Sequence, residues 1–281
     1  MTDEPFPGPA MPGGRMWAAW RWVGAHPVRF VFIVAALYVL VELLTIPWFS
    51  ISRLKTEQPG ETALMRQRKT EAEDARKTAA VNQRWIALAR LPAYVTKAVI
   101  VAEDGTFYEH GGIDWFEVQE SIEKNVRERR AARGASTITQ QLAKNLYLST
   151  SKTPMRKVKE VIITLLLEHH LSKQRILEIY LNVIEWGRGV YGIDAAARTY
   201  FGKSASGLTL DEAIRLAAVI PRPLRSRPDE NSRYVMQMKR IILARMSARN
   251  AVNDTTTADL AAPETSETDS MDIEEDESNG L

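Results

Sequence analysis

The sequence predicts a mainly α-helical domain behind a single membrane-spanning helix, and three observations carry that prediction. From Val28 to Phe49 the run VRFVFIVAALYVLVELLTIPWF holds only two charges, Arg29 and Glu42. That leaves about twenty residues to cross a hydrocarbon core. Downstream, one segment after another spaces its apolar residues by three and four, the period of a helix with one buried face. Alternating apolar and polar patterns, the mark of half-buried strands, are nearly absent.

In chain order, residues 1–27 form a basic tail whose first fourteen positions are rich in Pro and Gly and too poor in apolar side chains to pack. The apolar run at 28–49 is too long for the core of a cleaved signal peptide, and no small-residue cleavage site follows it, so it reads as a retained anchor. Trp17, Trp20 and Trp22 before it and Trp48 after it suit the membrane interface. Arg15, Arg21 and Arg29 on one flank outnumber Arg53 and Lys55 on the other, which leans toward an N-terminus inside.

Residues 50–90 are a charged, helix-prone stalk leading into the catalytic region, closed by Pro92. The body of the domain is assigned to 91–250. Within it, Ile113 to Val126 places Trp115, Val118, Ile122 and Val126 on one face behind an N-cap at Asp114. Further helices are expected at 136–148, 155–171, 173–182, 209–220 and 233–248. The first has Ser136 as its candidate cap. The fourth opens on a capping box between Thr209 and Glu212 and stops at Pro221. Residues 251–281 hold acidic side chains without a single Lys or Arg and are expected to be disordered.

Composition narrows the partners. The net charge of +2 on 281 residues conceals an asymmetry, because the acidic tail masks a basic body that suits an anionic ligand. With no cysteine, disulfide staples, zinc-thiolate sites and a cysteine nucleophile are excluded. His169 and His170 are adjacent, about 100° apart around a helix, and so lack the spacing of a metal pair. Neither a GxGxxG nor a P-loop pattern occurs.

Three segments carry side chains suited to chemistry. VAEDGTFYEHGG at 101–112 breaks from an apolar stretch into a Gly-bounded turn that can present Glu103 and Asp104 at a cleft. In RGASTITQQLAKN, Thr137, Gln141 and Lys144 share one helix face while Ile138, Leu142 and Leu146 line another. Hydroxyls, amides and an ammonium near a helix N-terminus suit a sugar or phosphate. RKVKE puts Arg156, Lys159 and Glu160 on one face, with Val158, Ile162 and Leu165 supplying apolar surface. Each segment alone has a plainer explanation, in a helix end, a cap or a solvated basic face.

Taken in order, EDGTFYEHGG, GASTITQQLAKN, RKVKE, KQRILEIYLN and YGIDAAARTYFGK resemble the peptidoglycan glycosyltransferases, glycosyltransferase family 51. The resemblance covers residues 60–228, and WGRGVYG at 186–192 is similar to the monofunctional biosynthetic transglycosylase branch. It implies a lysozyme-like, mainly helical fold with a small lobe that touches the membrane. It implies lipid II as substrate, joined to the growing glycan chain by β-1,4 bonds with release of undecaprenyl pyrophosphate. The implied setting is the cytoplasmic (inner) membrane, crossed once, with the catalytic domain on the periplasmic face. Membrane lipid and other proteins of cell-wall synthesis and division are the implied partners, and nucleic acid is not.

By the same resemblance Glu103 is the general base, and Lys144, Arg156 and Lys159 lie near the donor phosphates. Lys152 stands where the family usually has Arg, which keeps the charge and loses the bidentate fork. Glu160 matches a second essential carboxylate that orients the cations or binds a divalent ion. No cofactor is implied beyond such a cation, Mg or Mn. Asp104, Phe107, His110, Ser136, Thr137, Gln140 and Gln141 fall on motif positions that shape or contact the substrate. The general-base role is chemically apt, since a sugar hydroxyl must lose its proton as the new bond forms. Two other readings make different demands. A lytic muramidase needs no cation cluster beside its carboxylates, and a basic scaffold has no use for Glu103.

Overall fold

The structure, a computed structural model, describes residues 25–78, 80–128, 136–148 and 153–261. Helix α1, Pro27–Leu44, opens with Pro at its first turn and leaves its apolar side chains uncovered along its length. Such exposure is stable only in an apolar medium. This is the one described helix long and apolar enough to cross a membrane. The residues flanking Pro47 turn the chain into the short helix α2, Trp48–Arg53, whose Ile51 is fully buried in the domain core. Trp17, Trp20 and Trp22 lie outside the described residues. The fourth expected anchor, Trp48, donates its indole N–H to the carbonyl of Leu43 at 3.1 Å.

The charged stretch that follows is packed rather than free-standing. Helix α3, Ala63–Asp74, is capped by Thr62 and buries Met65, and its Arg68 meets Glu185 at 2.9 Å. Strand β1, Asn82–Gln83, then joins β2, Glu185–Gly187, and β3, Val190–Tyr191, in a small sheet of order β1-β3-β2. Asn182 pins the next stretch with its whole amide, accepting from the N–H of Ile86 and donating to the carbonyl of Ile86. A side chain that satisfies both backbone groups of one residue holds that residue as a strand partner would.

The helical body contains α4, Ala93–Glu103; α5, Trp115–Glu128; α6, Ile138–Tyr147; α7, Pro154–His170; α8, Lys173–Val183; α9, Ile193–Phe201; and α10, Leu210–Val219. Helix α11, Arg233–Ala261, follows. Helix α6 lies against α3, α7 and α8, and α4 against α10 and α11. Their shared core holds Phe107, Ile138, Leu142, Ile176, Leu177, Tyr180 and Trp186.

Most expected boundaries agree with these helices to within two residues, while one cap, one helix end and one helix face differ. The cap of α6 is Thr137 rather than Ser136: the Thr137 hydroxyl accepts from the Gln140 N–H, and the Gln140 side chain accepts from the Thr137 N–H. A reciprocal box needs Glu or Gln three residues on, which Thr137 has and Ser136, facing Thr139, has not. Helix α11 runs to Ala261, beyond the expected start of a disordered tail. Nothing between 249 and 261 breaks a helix, and each further residue adds a hydrogen bond until Pro263 approaches. Residues 262–281 lie outside the described residues. Helix α5 has the expected cap, with Asp114 accepting from the Glu117 N–H at 3.0 Å, but Trp115, Phe116 and Ile122 are exposed instead of facing the core. The side chain of Val126 is not described. An uncovered aromatic and aliphatic face of this kind fits a small lobe that touches the membrane.

Candidate active site

Glu103 ends α4, so its carboxylate sits where the helix gives way to the turn at 104–112. The Gln141 side-chain N–H donates to Glu103 Oε2 at 2.9 Å, and the Tyr180 hydroxyl donates to Gln141 Oε1 at 2.9 Å. Tyr180 is fully buried on α8. Burial pushes its phenol well above the ordinary range, with the carboxylates of Glu103 and Asp104 adding to the effect. It therefore remains a neutral donor at any working pH.

Asp104 faces the opposite way, into the protein. One oxygen accepts from His110 Nε2 and the other from the backbone N–H of Ile138 at the start of α6, both at 2.9 Å. The Gly112 N–H donates to His110 Nδ1, which places the imidazole proton on Nε2, toward Asp104. The Thr137 hydroxyl donates to the carbonyl of Gly112 at 2.6 Å. Asp104, Phe107, Thr137 and Gln140 are all buried, and His110 is largely so. Asp104 and Thr137 tie the 104–112 turn to the N-terminus of α6, with His110 holding Asp104 and Gln140 holding Thr137, which keeps Glu103 and Gln141 in register. They form the frame under the cleft rather than its surface. Ser136 is half-buried at the edge, its carbonyl 3.5 Å from the Gln141 amide nitrogen.

Glycine is required at 112. Its φ is +93°, and a Cβ there would stand 2.7 Å from Glu168 Cγ and 2.8 Å from Thr164 Cγ2.

On the next helix, Thr153 caps α7 and directs its first two turns toward the cleft. Glu160 is buried, with Arg156 at 2.7 Å on one oxygen and Lys157 on the other. Lys157 is the residue that sequence reasoning missed. Three positions from Glu160 it lies over the same side of the helix, whereas Lys159, adjacent to Glu160, is turned about 100° away. Lys159 pairs instead with Glu42 of α1 and donates to the Thr45 hydroxyl at 2.6 Å. A cavity of about 380 Å³ at this junction is lined by Glu42, Thr45, Tyr147, Arg156 and Lys159. Lys152 lies outside the described residues.

Lys144 stands between the two carboxylates. Its side chain is open to solvent on one side yet crowded by the concave wall of the cleft. Lost hydration is the largest cause holding its ammonium below the usual lysine range. Arg156 and Lys157 push the same way, while Glu160 and Glu103 oppose them. The α4 carboxylate and the α7 cluster thus both act on the same lysine.

The donor set does not fit a resident divalent ion. Among the described residues no three acidic or histidine side chains converge, and both oxygens of Glu160 are already taken by cations.

A helical body of lysozyme type, with a carboxylate at a helix end facing a cation cluster and an apolar membrane helix beside it, defines the class: a membrane-anchored transferase of glycan units. The Transglycosylase family matches residues 70–247, and the chain belongs to that family. It is a glycosyltransferase enzyme. It is similar to the biosynthetic peptidoglycan transglycosylase of Nitrosospira multiformis, at 42% identity over 78% of this chain and 94% of the relative. The protein of the same name from Methylobacillus flagellatus is 46% identical over 67% of this chain and 82% of its own length. For that of Laribacter hongkongensis the figures are 39%, 81% and 97%. Family and relatives together support a peptidoglycan transglycosylase of cell-wall biosynthesis.

Proposed function

We propose that this enzyme polymerises lipid II into β-1,4-linked glycan strands and releases undecaprenyl pyrophosphate. The observation that carries the reading is a pair of carboxylates: Glu103 at the end of α4, held by Gln141 of α6, and buried Glu160 on α7 between Arg156 and Lys157. One carboxylate and one basic cluster across a cleft match the two demands of the reaction. As the 4-hydroxyl oxygen of the acceptor GlcNAc bonds to C1 of the donor MurNAc, Glu103 takes the hydroxyl proton. The bond from C1 to the pyrophosphate oxygen breaks, and its electron pair leaves with the pyrophosphate.

Preorganised cations stabilise that developing charge without reorganising during the step. Lys144, Arg156 and Lys159 fill this role, with Lys157 beside them. Arg156 has a buried Nε–H with no protein acceptor, a donor that a phosphate oxygen would satisfy. Lys152 belongs to the same donor-binding group. Glu160 orients Arg156 and Lys157. Asp104, Phe107, His110, Ser136, Thr137 and Gln140 serve by holding the turn and α6 in place, and Gln141 by its contact with Glu103.

In this reading the N-terminus is cytoplasmic and the domain after α1 works on the outer face of the cytoplasmic membrane, where the anchor concentrates it at its lipid substrate. Full-length protein in detergent, given labelled lipid II, tests the activity. Polymer of increasing length is expected. Fragmentation of preformed glycan without synthesis would mean a hydrolase. Glu103→Gln should abolish polymerisation in a folded protein, since general-base catalysis contributes on the order of 10²- to 10⁴-fold; full activity in that variant would overturn the assignment of the base.

A further inference from the structure

The chain of hydrogen bonds that ends on Glu103 begins on a residue buried in the core. The Tyr180 hydroxyl donates to Gln141 Oε1, and Gln141 Nε2 donates to Glu103 Oε2. The carbonyl of Ser136 lies on the nitrogen side of the same amide. The Gln141 amide thus has a donor against its oxygen and two acceptors against its nitrogen, and all three partners select the same orientation. Turned over, it would set its oxygen against a carboxylate and a carbonyl, and its N–H groups against a hydroxyl whose proton already points at it. An amide between a carboxylate and a phenol has one satisfied orientation only when the phenol donates.

We infer that Tyr180 is a positioning residue for catalysis: through Gln141 it aims an amide N–H at Glu103 and so sets the direction and basicity of the carboxylate that takes the acceptor proton. This rests on the proposed role of Glu103 and extends it to two residues on two other helices. Helix α8 is suited to the task. Tyr180 lies between Ile179 and Leu181, both fully buried, and the α8 backbone around it is held by Asn182. The phenol oxygen therefore has little freedom to follow a moving partner. Because the phenol stays protonated, the donor is constant over the whole pH range in which the enzyme could work.

The charged and titratable groups near Glu103 come from several elements. Lys144 faces it from α6, Asp104 follows it in the chain and is held by His110, and Tyr180 faces it from α8. Arg156, Lys157 and Glu160 of α7 act on Lys144 as well. Removing one phenol oxygen alters Tyr180 alone and leaves the other groups named here in place.

The test is Tyr180→Phe in the full-length enzyme, with Gln141→Leu and the double variant, read as polymerisation rate against pH with lipid II. The phenylalanine ring keeps the packing, and a thermal melt checks it. Without the phenol the amide loses the donor that fixes its oxygen side and is held less firmly against Glu103, so the hydrogen bond that stabilises the charged carboxylate weakens. The acidic limb of kcat should move to higher pH by roughly half to one unit, the size of a partly lost hydrogen bond to a carboxylate. At the original optimum, kcat should fall by about three- to tenfold with KM little changed. Gln141→Leu should show the same movement, and adding Tyr180→Phe to it should move the limb no further.

An unmoved limb in folded Tyr180→Phe, or shifts that add in the double variant, would overturn the inference and leave Tyr180 a packing residue. Glu103→Gln, run beside them, separates that failure from failure of the underlying reading. If Glu103→Gln is inactive and the limb stays put, only the role of Tyr180 is lost. If Glu103→Gln is active, the base itself has been misassigned.

Discussion

Lys159, in the second turn of α7, reaches back to the membrane helix and pairs with Glu42, the one acidic residue of α1. The anchor is therefore joined to the basic side of the cleft by charge as well as by chain continuity. An ionisable group placed in an apolar spanning helix is costly unless paired, so its partner bears on its purpose. Here the partner is a cation that also lines the junction cavity beside Arg156.

Glu42→Gln should release Lys159 to a phosphate-bearing ligand. Affinity of the full-length protein for a phosphoglycolipid inhibitor should rise by about two- to fivefold at low ionic strength, the range expected for an ion pair of modest exposure. The gain should shrink as salt is added. Fluorescence anisotropy with a labelled inhibitor reads this directly; identical binding curves for both proteins across a salt series would remove Lys159 from the ligand's surroundings.

Lys144 has an ammonium held below the usual lysine range, chiefly by lost hydration. The sign is simple. The charged form, which binds phosphate, is present below its pKa and is lost as pH rises through it, and the depression brings that loss to lower pH than an ordinary lysine would show. Affinity for the phosphoglycolipid should therefore decline at a lower pH than an ordinary lysine would dictate, and Lys144→Arg should hold its affinity further into the alkaline range. Lys144→Ala should bind weakly and nearly without pH dependence over that interval.

Glu160 raises the pKa of Lys144 while Arg156 and Lys157 lower it. Replacing it by Gln removes the opposing charge and leaves the two like charges, so the alkaline decline should start at still lower pH in Glu160→Gln. The same titration in Lys157→Ala should move the opposite way. If both variants titrate like the wild type, the three cations and Glu160 do not form one electrostatic unit.

The frame under the cleft should report on stability before it reports on activity. Thr137→Ala removes a cap and the bond to the Gly112 carbonyl and should cost about 1–2 kcal/mol. Gly112→Ala forces a side chain into a positive φ against Glu168 and Thr164 and should cost at least about 1 kcal/mol. Thermal unfolding measures both. A Thr137→Ala protein with unchanged midpoint but lost ligand binding would place Thr137 at the substrate instead.

Helix identity was legible in the sequence because it is a local property. The three-and-four spacing of apolar residues, Asp114 and Thr209 at caps and Pro221 as a stop act within a turn or two of themselves, and α6, α7, α8 and α10 agree with that reading. The cap at Thr137 was equally local and could have been read from the T-x-x-Q spacing. The small sheet was not: β1 and β3 are two residues each and lie more than a hundred positions apart, too short to form a pattern.

The residue types of the site were also present in the sequence, down to Glu103, Lys144, Arg156 and Glu160. Their pairing was decided only by tertiary structure. Periodicity fixes where a side chain lies around its own helix but says nothing about which neighbouring helix occupies that direction. So Lys159 meets a membrane-helix residue 117 positions earlier, and Tyr180, an ordinary core aromatic by its spacing, lies one amide away from Glu103.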